Sequence, residues 1–194
     1  EIKASVEKIL EYKKQLCYEI DPSLCNLEED RKTAIAMARK AITNCGGIAP
    51  LANEKTFFCG CADYRASGVG NEDGSAGTFV DYMKKAFRAD GVITSKNPDE
   101  QEIAAVAAQA ANYDQIILNT CNGHLFRGQI ALAEALAKTG KPLTVAALRN
   151  PYDIPLLPQC QCKIAAYDYS TPALMGLEDV FRGGEMTGKL PVAL

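Results

Sequence analysis

The chain holds a single imidazole, His124, in the run Thr120-Cys121-Asn122-Gly123-His124-Leu125-Phe126-Arg127-Gly128-Gln129. Imidazole is the side chain best placed to move a proton near neutral pH. Cys121, in the same run, would supply a nucleophile if the fold brought the two within hydrogen-bond reach. Closeness in sequence does not fix that geometry, and lone histidines more often serve structure than chemistry. No serine stands in the G-x-S-x-G turn that exposes a nucleophile, and Ala66-Ser67-Gly68 departs from it.

A second candidate is the glycine-bearing stretch from Ala62 to Gly77, which contains Asp63, Arg65, Glu72 and Asp73. It reads as a flexible connection with a helix cap at Ser75, or as a loop that reaches toward a substrate. Gly68-Val69-Gly70 is followed by Asn71-Glu72-Asp73-Gly74, so the G-x-G-x-x-G spacing fails and two carboxylates stand where phosphate would sit. G-x-x-x-x-G-K-[ST] occurs nowhere, which removes the other phosphate cradle. The third candidate is Arg149 in Ala147-Leu148-Arg149-Asn150-Pro151-Tyr152-Asp153. Pro151 pushes Asn150 out of helical geometry and sharpens the turn. Arg149 then holds a carboxylate or a sugar hydroxyl, meets another domain, or serves a structural ion pair.

These candidates follow short runs that read as buried strands: Thr56–Cys61, Gly91–Thr94, Gln115–Asn119, Leu143–Leu148 and Cys162–Tyr167. Between them lie helical patterns over Thr78–Arg88, Pro98–Ala111, Gly128–Lys138 and Pro172–Phe181. Continuous apolar strands alternating with helices predict a three-layer α/β/α sandwich around a mostly parallel, flavodoxin-like sheet. In such sheets ligands bind beyond the carboxyl ends of the strands, which is where the candidate loops fall. Leu190-Pro191-Val192-Ala193 reads as an edge strand, since proline cannot donate to a central ladder. Two helices precede the alternation, Ile2–Leu16 and about Leu27–Asn44, the second stopped by Gly46-Gly47. The first carries Ile2, Val6, Ile9, Leu10 and Leu16 mostly on one face, which asks for a partner.

At 194 residues the chain is long enough for one sizeable core. A net charge of -3 with scattered Lys and Arg gives no footprint for nucleic acid. No apolar run reaches the roughly 20 residues that span a bilayer. Glu1-Ile2-Lys3-Ala4-Ser5 has neither an initiator Met nor the apolar stretch of a signal peptide, the pattern expected of an excised or processed piece. The eight cysteines include Cys59-Gly60-Cys61 and Cys160-Gln161-Cys162. Their spacing is unlike the C-x-x-C of zinc sites, and a chain of this size needs no staples, so buried reduced thiols are the expectation, with metal and disulfides as alternatives. Reduced thiols favour a cytoplasmic setting, with export of a parent protein left open.

From Gln129 onward the residues carry a family resemblance. Gly128-Gln129-Ile130-Ala131-Leu132, Gly140-Lys141-Pro142-Leu143, Val145 through Asp153, Ala165-Ala166-Tyr167, Thr171-Pro172-Ala173-Leu174 and Gly188-Lys189-Leu190-Pro191-Val192 together resemble the carboxy-terminal domain of glycoside hydrolase family 3, β-N-acetylglucosaminidase branch. The segment from Ser5 to Lys13 resembles that family's last barrel helix, and Ala38–Thr43 with Pro50-Leu51 its linker; Glu54–Lys96 matches loosely. The resemblance implies residues 1–50 as terminal barrel helix and linker helix, and 51–194 as the α/β sandwich domain. It also implies an amino-terminal (β/α)8 barrel of the same polypeptide as partner, with a carbohydrate substrate at the domain interface. That barrel bears the catalytic aspartate and a histidine–aspartate acid/base in this branch, so no catalytic residue, metal or cofactor is assigned to this chain. On its own it is expected to be inactive. In the β-glucosidase branch the second domain supplies a glutamate instead, and the surroundings of Glu72 do not match that pattern. Asp63, Arg65, Asn122, His124 and Arg149 are the residues placed at the cleft rim. The alternatives are a free-standing flavodoxin-like module that holds a small ligand, and a small enzyme built on Cys121 and His124.

Overall fold

A computed structural model describes residues 2–15, 26–62 and 78–193. The chain divides into two compact units, Glu1–Thr33 and Ala34–Leu194. The first unit contains helix α1 (Ile2–Gln15) and the start of α2 (Leu27–Ala41). No residue of α1 is buried, and Ile2, Val6, Ile9 and Leu10 are all exposed. The acidic first turn of α2, Glu28-Glu29-Asp30, faces the positive end of the helix dipole, and Arg39 and Lys40 lie in its last turn.

The second unit is built on six strands: β1 (Thr43–Gly47), β2 (Thr56–Cys61), β3 (Asp90–Thr94), β4 (Gln115–Thr120), β5 (Leu143–Ala147) and β6 (Cys162–Ala165). Their order is β1-β6-β5-β4-β2-β3, and every pairing is parallel except that of β1 with β6. The helices are α3 (Phe79–Phe87), α4 (Glu100–Ala110), α5 (Arg127–Ala137) and α6 (Thr171–Phe181). Strand side chains alternate between faces, and the core divides accordingly. Phe58, Ile117, Ala146 and Ile164 pack with α3 and α6, whereas Phe57, Ile116, Leu118 and Val145 pack with α4 and α5. Helices therefore cover both sheet faces, which is the three-layer arrangement expected. Phe58 anchors one layer, stacked on Phe87 with ring centroids 5.8 Å apart and edge-on to Phe79 at 6.1 Å. Full burial of one such side chain contributes roughly 1.5–3 kcal/mol.

Two expectations need correction, and a third lies outside the described residues. Thr43 and Asn44 are not helix: α2 stops at Ala41, and Thr43–Gly47 pairs antiparallel with β6 as an edge strand. Gly47 is required there, because it has φ +87° and a β-carbon would collide with the backbone of Gln161. The stretch from Leu190 to Ala193 joins no strand. Its closest anchoring is upstream, where the Gly188 N–H donates to the Ile42 carbonyl at 3.0 Å. The helix cap expected at Ser75 falls outside the described residues; Thr78 caps α3, its hydroxyl accepting from the Asp81 N–H at 3.2 Å.

Candidate functional site

The strand order places the geometry that matters. From β2 the chain moves outward to β3 and then returns to β4 on the other side of β2. Sheets wound in two directions open a crevice at the carboxyl ends of the strands where that reversal occurs. Here those ends are Cys61 of β2 and Thr120 of β4. Asn119 bridges them: its Nδ2 donates to the Cys61 carbonyl at 3.1 Å, while its buried Oδ1 has no partner among the described residues. Gly60, at φ +140°, leaves the space, since a β-carbon there would overlap Asn119 Oδ1.

The segment leaving β4 is tightly held. Gln129, 1% exposed, accepts from the Cys121 N–H at 2.8 Å and donates to the carbonyls of Cys121 and Lys96 at 3.1 and 2.8 Å. One buried amide thus ties the loop after β4 to the loop after β3. Asn122 takes the left-handed conformation, φ +59°, so that its carbonyl receives the N–H groups of Leu125 and Phe126. Its Oδ1 accepts from Asn150 Nδ2 at 2.6 Å, and Asn150 Oδ1 in turn accepts from the Tyr152 N–H at 3.2 Å. Asn150 is extended, φ -150° and ψ 158°, as Pro151 requires, and Pro151–Leu156 forms a short 3-10 turn. The segment after β5 is thereby fastened to the segment after β4.

That 3-10 turn carries Asp153, which is 0% exposed. Its Oδ1 receives two N–H groups from one residue: the His124 backbone at 2.8 Å and His124 Nδ1 at 2.9 Å. A carboxylate only accepts, so the shared proton belongs to Nδ1 and the other ring nitrogen, Nε2, is left for a further partner. None of the described residues bonds to Nε2. Tyr152 meets the His124 ring edge-on at 5.8 Å and is half exposed, and Leu125, which follows His124, is exposed. Asp153 Oδ2 is buried without a partner, and Gly123 keeps room beside it, because a β-carbon there would come within 3.2 Å.

Of the residues expected at the rim, Asn122 and His124 share one loop and Arg149, half-buried, follows the neighbouring strand. The Leu148 N–H to Thr120 carbonyl bond of 2.9 Å keeps those two segments side by side. Asp63, Arg65 and Glu72 lie outside the described residues. The pairing of Cys121 with His124 as nucleophile and base finds no support in exposure: Cys121 is 1% exposed, and a reactive thiol must be reached by its substrate. Among the described residues no group of three or more His, Cys, Asp or Glu side chains is arranged to hold a metal ion. No described helix is long and apolar enough to cross a membrane.

The sequence reading passed over Asp153, Gln129 and Tyr152. Asp153 stands 29 positions from His124, and only the fold joins them. The one local signal was Asn150-Pro151, which marks a turn able to present the next residues.

No protein-family model and no curated protein matches the chain. Solved structures do. A glycoside hydrolase family 3 β-N-acetylglucosaminidase from Paenibacillus sp. str. FPU-7 matches with a TM-score of 0.79 and 24% identity, covering 98% of this chain and 39% of that one. A fungal multi-domain β-N-acetylglucosaminidase of the same family matches at 0.77 and 20% identity, over 100% of this chain and 23% of that one. A β-glucosidase from Listeria innocua matches at 0.65 and 17% identity, over 80% and 25%. The fold is therefore the α/β domain found within glycoside hydrolase family 3 enzymes. The chain spans well under half the length of each of these proteins.

Proposed function

We propose that this chain is the carboxy-terminal domain of a two-domain β-N-acetylglucosaminidase of glycoside hydrolase family 3. The observation that carries the reading is the likeness over 98% and 100% of the chain to parts of two enzymes named for that activity. In this reading an amino-terminal (β/α)8 barrel holds the reacting carboxylate, and the retaining mechanism runs there through a covalent glycosyl intermediate. This domain supports the barrel and lends the loops at its carboxyl edge, with Asn122, His124 and Arg149, to the rim of the cleft. Asp63 and Arg65 belong to the same proposal through the loop that leaves β2.

The exposed face of α1 supports a covering partner, since Ile2, Val6, Ile9 and Leu10 put contiguous apolar surface into water. A free-standing small-ligand module has no such need. The test is hydrolysis of an aryl β-N-acetylglucosaminide by the full polypeptide and by this chain alone. Activity confined to the full polypeptide is the expected outcome. Turnover by the isolated chain would place the reacting groups within these residues and overturn the supporting role.

A further inference from the structure

We infer that His124 is a sugar-reading side chain, set in one tautomer by Asp153, whose Nε2 accepts a hydrogen bond from a ligand hydroxyl. The inference rests on the glycosidase reading above and deepens it by giving one rim residue a defined task and adding a positioning residue. Three observations carry it.

First, Asp153 is wholly buried and spends one oxygen on both N–H groups of His124, at 2.8 and 2.9 Å. Burying a carboxylate is costly unless its bonds recover the loss. A single bond from the His124 backbone would already fix the turn; the second bond acts only on the ring. It orients the imidazole and holds the proton on Nδ1, so that the neutral ring offers a lone pair at Nε2. Such a nitrogen accepts a hydrogen bond from a hydroxyl or an N–H and gives none to a carbonyl, which suits a hydroxyl-bearing ligand.

Second, the site lies beyond the carboxyl end of β4, one of the two strands at the reversal of strand order, where sheets of this kind bind their ligands. Third, Tyr152 meets the ring edge-on at 5.8 Å and is 52% exposed, and Leu125, the next residue in the chain after His124, is 66% exposed. An aromatic face and an aliphatic shoulder beside a polar acceptor match a pyranose, which has apolar C–H faces and hydroxyls around its rim. The Asn122–Asn150 bond and the Gln129 clamp hold the loop that carries this arrangement.

The tautomer is read directly on this chain, because His124 is its only histidine. Long-range proton–nitrogen spectra of the 15N-histidine-labelled chain, taken above the imidazole titration, should show Nδ1 protonated and Nε2 bare. In Asp153→Asn the bare and protonated nitrogens should mix. A predominantly Nε2–H ring in the unsubstituted chain would overturn the role of Asp153.

The binding role is read on the full polypeptide with an aryl β-N-acetylglucosaminide. His124→Ala should lower kcat/KM about tenfold, the size of one neutral hydrogen bond to a ligand. His124→Gln, which keeps an acceptor, should recover part of that loss, and Asp153→Asn should fall between. Circular dichroism melts of each variant separate this from unfolding. Equal kcat/KM in a folded His124→Ala enzyme overturns the subsite while leaving the glycosidase reading intact. An inactive unsubstituted polypeptide overturns the glycosidase reading, and the subsite falls with it.

Discussion

The two edges of the sheet hold opposite kinds of space. At the amino edge, where β5 and β6 begin, lies an open groove of about 430 Å³ lined by Gly140, Lys141, Pro142, Leu143, Gln159 and Cys160 among others. At the carboxyl edge the described loops are cross-tied: Gln129 joins the segments after β3 and β4, and Asn150 and Asp153 join those after β4 and β5. The groove is bordered by a lysine, a proline and one half-buried thiol, and no pair of its side chains is bonded into a fixed geometry by the hydrogen bonds described. Among the described residues, the carboxyl edge keeps buried polar atoms without partners, Asn119 Oδ1, Thr120 Oγ1 and Asp153 Oδ2, and Thr144 Oγ1 near the start of β5 is a further one. The groove is a gap between turns, whereas the carboxyl edge holds ordered polar groups, which is why the proposed subsite is placed there.

The largest effect should come from breaking the carboxyl edge at its tightest point. Gly60→Ala places a β-carbon on Asn119 Oδ1 at a backbone conformation of φ +140°, and should cost about 3 kcal/mol from overpacking and strain together. Urea unfolding of the variant checks it. Gln129→Ala removes three hydrogen bonds made by one buried amide, and should cost about 2 kcal/mol in the same experiment. It should also release the loop after β3, read as faster amide exchange at Lys96 and Asn97.

The amino edge should answer to pH. Burial pushes up the thiols of Cys45 and Cys160, and that of Cys162 to about 11, each against an ordinary value of 9.0. A group whose folded value is raised binds its proton longer in the folded state than in the unfolded chain. The stabilisation is therefore complete below pH 9 and declines as pH rises from there toward 11. Thermal melts between pH 8 and pH 11 should show that fall, and Cys162→Ala should flatten part of it. Iodoacetamide at mildly alkaline pH should label half-buried Cys45 and Cys160 well before Cys59, which is 0% exposed and also raised by burial. Lys141→Ala should have the smallest effect, within about 0.5 kcal/mol, because the groove it borders holds nothing in place.

Much of the fold was readable because of where it is buried. β2, β4 and β5 are covered on both faces, so Thr56–Cys61, Gln115–Thr120 and Leu143–Ala147 show as nearly unbroken apolar runs. β1 gave no such signal. Its Thr-Asn-Cys-Gly-Gly sequence pairs on one side only and is largely exposed, and its glycines look like a helix stop when read locally. Leu190-Pro191-Val192 carried strand-like residues but finds no strand to pair with. The site divided in the same way. Asn122, His124 and Arg149 were legible as polar residues at strand ends. Asp153 was not, because a buried carboxylate is costly at most positions and only the hydrogen bonds from His124 make this one sensible. Nothing in a linear pattern announces such a partner.

The proposal that the carboxyl edge, and not the groove at the amino edge, faces the substrate is tested most directly by hydrogen exchange on the full polypeptide with and without saturating N-acetylglucosamine. The account predicts slowed exchange in segments 121–126 and 148–153, with segment 137–143 unchanged. Protection of 137–143 without protection at the carboxyl edge would contradict it.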